Sequence, residues 1–115
     1  MTLEEIKTLV NGEVICGGDY LDQTIECVFA SDLMSDVLTL KDVNNLLLLT
    51  GLSNLQSIRT CEMSDISYLL IVRGKEVTEE MKELAEDNDM LLITTDLSLY
   101  RTSGTLFNAG LPGVY

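Results

Sequence analysis

Three short apolar runs recur through the second half of the chain, and each ends in a polar or glycine joint. They are LLLLTG at 46–51, LLIVRG at 69–74 and LLITTD at 91–96, and their starts lie 23 and 22 residues apart. Runs that are apolar on both faces are typical of strands covered by helices on both sides, as in parallel sheets. Because a parallel connection needs a crossover of about a dozen residues or more, this spacing leaves room for one helix between successive strands. The recurrence predicts repeated βα units.

The segments between and after these runs have the periodicity and capping residues of helices. An amphipathic helix is predicted before the third run, since positions 77, 81, 84 and 85 are apolar and glutamates fill most of the other positions. A second helix is predicted from Gly51 to residues 63–65. Asp96 would cap a last helix that runs to about Ala109 and stops at Gly110.

The first half of the chain adds two helices and two strands. Thr2 and Glu5 have the spacing of a capping box, ahead of a helix that stops at 11–12. Strands are predicted at 13–17 and 25–30, and Ser31 and Asp32 would cap a helix over 33–38. We expect an α/β fold: a single three-layer domain over residues 1–115, with a mainly parallel sheet of about five strands and helices on both faces.

Charge and hydropathy exclude several partners. The chain has 19 acidic and 7 basic residues, a net charge of −12, and no cluster of Lys or Arg. Such a field repels nucleic acid and anionic membranes. No apolar run approaches the roughly 20 residues of a membrane-spanning helix, the start of the chain is acidic, and the three cysteines do not form a paired motif. We expect a cytoplasmic protein that binds neither nucleic acid nor membrane.

The side chains of the common catalytic centres are missing. There is no histidine, no phosphate-binding loop and no dinucleotide-binding glycine pattern. We therefore expect no catalytic residue, no metal and no cofactor. Asp32, Asp36 and Asp42 could form a sparse magnesium site in a carboxylate enzyme, and a solvated helix face is the simpler interpretation.

Residues at the strand-to-helix joints are the candidates for a binding site. In open α/β sheets, ligands bind outside the carboxyl ends of the strands, where helix amides can hold an anion and Arg73 would supply a positive charge. The candidate ligand-binding residues are Thr50, Gly51, Arg73, Gly74, Thr95 and Asp96. In the alternative interpretation, Ser31 and Asp96 only cap helices, the glycines only form turns, and Arg73 pairs with an acid. Arg59 and Glu62 have the spacing of a surface ion pair.

The end of the chain is apolar and almost uncharged from Gly104 to Val114, through Leu106, Phe107 and Leu111. An apolar segment of this kind is covered either by its own core or by a second subunit. We expect a homodimer. The aromatic residues Tyr68, Tyr100, Phe107 and Tyr115 could also form a docking surface, although core packing is the default for apolar residues at such spacings.

The same segments resemble the DRTGG family over most of the chain, from about Thr2 to Gly110. The similarity rests on GEVICG at 12–17, LLLTG at 47–51 with Ile58 and Arg59, the segment 66–74, the segment 81–84 and LITT at 92–95. Members with the full motif have an Asp-Arg pair after the first glycine, where this chain has LSN at 52–54. Their Thr-Gly-Gly falls where this chain has Val72, Arg73 and Gly74, so only the last glycine is kept.

The resemblance implies a compact α/β module that serves as a regulatory or accessory segment, as in some pyrophosphatases and phosphotransacetylases. It also implies a fold similar to the amino-terminal domain of HPr kinase/phosphorylase. The favoured hypothesis is a non-catalytic domain that senses a small anionic ligand, such as a nucleotide. The alternative is a protein–protein interaction module that docks on a partner enzyme or kinase, without a small-molecule ligand, through residues near Phe107 and Leu111.

Overall fold

Five strands and five α-helices form the chain, and the computed structural model describes every residue from Met1 to Tyr115. The strands are β1 (Glu13–Cys16), β2 (Cys27–Ala30), β3 (Leu46–Thr50), β4 (Tyr68–Ile71) and β5 (Leu91–Thr94). The helices are α1 (Leu3–Leu9), α2 (Met34–Val37), α3 (Leu55–Met63), α4 (Glu79–Asp87) and α5 (Leu99–Asn108), and a 3₁₀ turn spans Gly18–Tyr20. None of the helices combines the length and the apolar character needed to cross a membrane.

The strands form one sheet in the order β1-β5-β4-β3-β2. Strands β2, β3, β4 and β5 are parallel, and β1 runs antiparallel to β5 at the edge. The predicted mainly parallel sheet is confirmed. Although β1 and β2 follow each other in the chain, they lie at opposite edges. The carboxyl ends of the four parallel strands therefore meet at one end of the sheet.

Helices cover both faces of this sheet, which confirms the predicted three layers. Helices α2, α3 and α4 pack on one face, and α1 and α5 pack on the other. Because successive strand residues point to opposite faces, Leu46 and Leu48 belong to the first core, and Leu47 and Leu49 belong to the second. Every residue of β3 is buried, which explains why its sequence is a continuous apolar run.

Two predicted helix caps are wrong, and one is confirmed. The capping box of Thr2 and Glu5 is present at the start of α1. Ser98, instead of Asp96, caps α5 by accepting a 3.1 Å hydrogen bond from the amide of Arg101, because residues 95–97 are used in the turn that leaves β5. Helix α2 has only one turn and no side-chain cap. Asp32 does not cap it because its carboxylate binds the end of β3.

The segment after α5 covers the outer edge of β2. The amide of Val28 donates to the carbonyl of Pro112 at 2.9 Å, and the amide of Val114 donates to the carbonyl of Val28 at 3.2 Å. Leu111 is buried, and the ring of Tyr115 meets Phe29 edge to face. In the predicted apolar tail, the chain itself therefore covers Leu106 and Leu111, whereas Phe107 stays exposed.

Candidate functional site

The six predicted binding residues all lie at the carboxyl end of the parallel sheet. The register aligns Thr50 with Ile71 and Ile71 with Thr94, so the joints after β3, β4 and β5 lie side by side. Hydrogen bonds divide these joints into two groups. Thr50 and Gly51 contact Asp32, whereas Arg73 and Gly74 contact the segment 95–97.

In the first group, the carboxylate of Asp32 bridges the end of β2 to the end of β3. Its Oδ1 accepts a 2.6 Å hydrogen bond from the amide of Gly51 and a 3.2 Å bond from the hydroxyl of Thr50. A Cβ atom on Gly51 would lie 3.3 Å from both Asp32 carboxylate oxygens, so glycine leaves space for this approach. The amide of Gly51, which was expected to bind an anionic ligand, is therefore already occupied by the carboxylate of Asp32.

In the second group, two successive residues have left-handed backbone conformations. Arg73 has φ of 67° and Gly74 has φ of 64°. Their amides donate to the carbonyls of Leu97 at 2.7 Å and Thr95 at 2.9 Å, which hold the turn in place. A Cβ on Gly74 would lie 3.2 Å from a carboxylate oxygen of Asp96. The left-handed conformation costs an arginine about 1 kcal/mol, and the surrounding hydrogen bonds offset that cost.

Thr50 and Thr95 occupy the same position in two equivalent turns. Each hydroxyl accepts a hydrogen bond from the amide two residues further on, that of Leu52 at 3.1 Å and that of Leu97 at 3.2 Å. The buried hydroxyl of Thr95 also donates to the carbonyl of Val10 at 2.7 Å, and thereby joins the joint to the end of α1. Both threonines thus hold the backbone of the joints, and their hydroxyls are engaged within the chain.

Arg73 is exposed and has no acidic partner. The chain has one ion pair, between Lys7 and Glu4 at 4.0 Å, so Arg73 is unpaired and the predicted pair of Arg59 with Glu62 is not formed. The interpretation in which Arg73 binds a neighbouring acid is therefore wrong for this structure. Arg73 is the one positively charged residue among the six, and its side chain is free for an external ligand.

The alternative magnesium site is also not formed. No three His, Cys, Asp or Glu side chains lie together in a way that could hold a metal ion. All three cysteines are free, and burial raises the pKa of each thiol, that of Cys61 to about 12. Since the thiolate is the nucleophilic form, none of the three has the lowered pKa of a reactive cysteine.

A separate cavity is lined by none of the six predicted residues. An open groove of about 980 Å³ runs along the outer side of α5, and we call it the α5 groove. Its lining includes Tyr100, Arg101, Gly104 and Phe107 of α5, with Val28 and Ala30 of β2. Tyr100 is 90% exposed and Phe107 is 77% exposed, so the expectation that they pack in the core is wrong. Thr102 and Leu106, four residues apart, are buried on the inner face of α5. This helical spacing was the sequence signal that would have placed Tyr100 and Phe107 on the outer face.

No protein-family model and no curated protein matches the chain. Among solved structures, it is similar to the CBS and DRTGG domains of the regulatory region of a Clostridium perfringens pyrophosphatase, complexed with the activator diadenosine tetraphosphate. The TM-score is 0.73 at 17% identity, and the match covers 96% of this chain and 47% of that one. The chain thus spans about half of that structure. At this identity the similarity is one of fold, and membership of the DRTGG family stays a prediction. The chain has a fold related to that of a regulatory region.

Proposed function

We propose that this chain is a non-catalytic regulatory domain of the cytoplasm that senses a small anionic ligand, such as a nucleotide, at the carboxyl ends of its parallel strands. Arg73 is the observation that carries this proposal. It is an exposed arginine without a carboxylate partner in a chain of net charge −12. A guanidinium group binds phosphate oxygens through two parallel hydrogen bonds, so phosphate is the chemistry that suits it best.

The conformation of Arg73 supports the same proposal. A residue at φ of 67° is one that glycine would occupy without strain, as Gly74 does next to it. Retaining arginine there costs stability, and strained residues that are held firmly by their surroundings cluster at binding sites. The side chain makes no hydrogen bond or ion pair within the chain that would account for its presence.

The remaining predicted residues have supporting roles in this proposal. Gly51 and Gly74 leave the joints free of side chains beside Asp32 and Asp96. Thr50 and Thr95 hold the backbone. Since Asp32 occupies the amide of Gly51, an anion that also uses this amide must displace that carboxylate. Like charges repel, so removing Asp32 should strengthen binding of an anion.

The similarity of fold supports both parts of the proposal, a regulatory domain and a nucleotide as its ligand. The pyrophosphatase region that shares this fold is regulatory, and its structure contains a nucleotide activator. The absence of histidine and the raised thiol pKa values agree with a domain that does not catalyse a reaction.

Thermal unfolding with diadenosine tetraphosphate, ATP and inorganic phosphate tests this proposal. A ligand present at 100 times its Kd should raise the free energy of unfolding by about 2.7 kcal/mol. Arg73→Ala should abolish the shift, and Arg59→Ala, which changes an exposed arginine on α3, should retain it. The proposal is wrong if none of the three compounds produces a shift, or if Arg73→Ala binds as well as the unaltered chain.

The α5 groove favours a second candidate, a protein-interaction module that docks on a partner enzyme. Exposed aromatic residues in an open groove are characteristic of protein contact surfaces. Purified candidate partners should then bind the unaltered chain and Arg73→Ala equally, and binding should be lost in Phe107→Asp. Loss of binding in Arg73→Ala alone would contradict this function.

A further inference from the structure

The turn between α1 and β1 contains Asn11 followed by Gly12, the only place in the chain where glycine follows asparagine or aspartate. We infer that Asn11–Gly12 is a site of spontaneous deamidation, and that the hydrogen bonds at the end of α1 hold the reaction back while the chain is folded. The inference concerns a covalent change of the chain itself, so it does not depend on the ligand proposed at Arg73.

Packing and backbone conformation fix both residues of this pair. A Cβ atom on Gly12 would lie 2.8 Å from Cγ2 of Ile93 and 3.3 Å from the carbonyl oxygen of Thr94. Ile93 is fully buried, so a larger residue at position 12 would have to displace the core. Asn11 has φ of 51°, a left-handed conformation that asparagine adopts more readily than most other residues. The fold thus favours asparagine followed by glycine at this turn.

The chemistry of the pair needs only water. The backbone nitrogen of Gly12 loses its proton and attacks Cγ of Asn11, which forms a new C–N bond and closes a cyclic succinimide. The bond from Cγ to Nδ2 breaks, and the nitrogen takes up a proton and leaves as ammonia. Water then opens the ring at either carbonyl group and gives aspartate or isoaspartate. Glycine has no side chain to crowd the attacking nitrogen, and Asn11 is exposed to water.

The end of α1 holds the attacking nitrogen in place. The amide of Gly12 donates to the carbonyl of Lys7 at 2.8 Å, and the amide of Asn11 donates to the carbonyl of Thr8 at 3.3 Å. These two bonds, with Asn11 in the left-handed conformation, form a Schellman motif that ends the helix. An amide that donates its proton to a carbonyl is harder to deprotonate, and it cannot turn toward the Asn11 side chain without breaking that bond. The reaction therefore requires the helix end to open first.

A buried hydroxyl outside α1 holds the same helix end closed. Thr95 is 4% exposed, and its hydroxyl donates a 2.7 Å hydrogen bond to the carbonyl of Val10, the residue before Asn11. Because the opening of the helix end limits deamidation in the folded chain, loss of this bond should speed the reaction.

The isoaspartate product does not fit the folded turn. Isoaspartate adds a methylene group to the main chain, and Gly12 already lies against Ile93 and Thr94. Because β1 begins directly after this turn, with Glu13 opposite Thr94, the longer main chain disturbs the pairing of β1 with β5. Deamidation therefore weakens the edge of the sheet.

Tandem mass spectrometry after incubation at mildly alkaline pH measures the reaction and locates its product. In urea that unfolds the chain, we expect acid at position 11 well before any at Asn108, an exposed asparagine that alanine follows at the end of α5. In buffer, the rate at Asn11 should be at least tenfold lower, which corresponds to an opening free energy of about 1.4 kcal/mol.

Two threonine variants test the hydrogen bonds that hold the helix end closed. Thr95→Val should speed deamidation in buffer by about fivefold, as expected for loss of one hydrogen bond, and should leave the rate in urea unchanged. Thr39→Val is the matched control, because it removes a hydroxyl that donates to the carbonyl of Asp36 at 2.6 Å, at the end of α2 on the other face. It should react at the rate of the unaltered chain.

Three results would each overturn the proposal. They are equal rates at Asn11 and Asn108 in urea, equal rates at Asn11 in urea and in buffer, and equal rates in Thr95→Val and Thr39→Val in buffer. Circular dichroism confirms that each chain is folded in buffer and unfolded in urea. The comparison of urea with buffer uses the unaltered chain, so it decides the matter even where Thr95→Val does not fold.

Discussion

The carboxylate of Asp32 accepts a 2.6 Å hydrogen bond from the backbone amide of Gly51, nineteen residues away in the chain. The same oxygen accepts a hydrogen bond from the hydroxyl of Thr50, so one side chain ties the end of β2 to the end of β3. An internal anion at a strand-to-helix joint has two consequences, one for stability and one for ligand binding.

We expect Asp32→Ala to lower the free energy of unfolding by about 1–2 kcal/mol, because it removes a charged acceptor from an amide and a hydroxyl. Urea denaturation measures the change. Asp36→Ala is the control, since that carboxylate is exposed on α2 and its side chain makes no hydrogen bond. Equal losses in the two variants would mean that the bond to Gly51 contributes nothing.

We expect Arg73 to lower the stability of the fold and to be required for ligand binding. Arg73→Gly relieves the strain at φ of 67° and should raise the free energy of unfolding by about 1 kcal/mol, and the ligand-induced shift should disappear. Asp65→Gly changes another residue with a left-handed conformation, at φ of 55°, and should retain the ligand shift. Thermal unfolding with and without nucleotide separates the two effects. A less stable Arg73→Gly would indicate that the arginine serves the fold.

The stability of the chain should fall as the pH rises above 9. Burial raises the pKa of the Cys61 thiol from its ordinary value of 9.0 to about 12, so the unfolded chain loses this proton first. The stabilisation that the protonated Cys61 thiol gives to the folded chain is therefore complete below pH 9. It declines between pH 9 and 12, by at most about 1.4 kcal/mol per pH unit. Urea denaturation at pH 8, 9 and 10 measures the slope. Cys61→Ala should be less stable at pH 8 and should show a smaller slope, and an unchanged slope would exclude this thiol as the cause.

The tail protects the edge of β2 from pairing with other chains. Removal of residues 112–115 frees the amide and the carbonyl of Val28, and an exposed strand edge promotes aggregation. We expect faster aggregation on heating, measured by light scattering. Removal of Tyr115 alone keeps both hydrogen bonds to Val28 and should have little effect. Similar aggregation of the two shortened chains would show that the contact of Tyr115 with Phe29 matters more than the hydrogen bonds.

The local pattern of the sequence was sufficient to predict the α/β class, the strands and most of the helices. A strand buried on both faces must be apolar at every position, as β3 is, and a capping box is a contact between residues three apart, such as Thr2 and Glu5. Both signals lie within a few neighbouring residues, so they can be read without knowledge of the fold. The carboxyl ends of parallel strands also had to meet, which brought the six candidate site residues to one edge.

Only the tertiary structure decided the strand order, the bond from Asp32 to Gly51 and the exposure of the outer face of α5. Each depends on which distant segments pack together. Asp32 has the residue type and position of a helix cap, and the approach of β3 gave its carboxylate another partner. Phe107 and Leu106 are both apolar neighbours in one helix, yet the sheet covers Leu106 and leaves Phe107 in solvent. The sequence by itself determined which elements form, because that depends on local periodicity. The packing of those elements determined which side chains remain free to bind, because burial and pairing are properties of distant contacts.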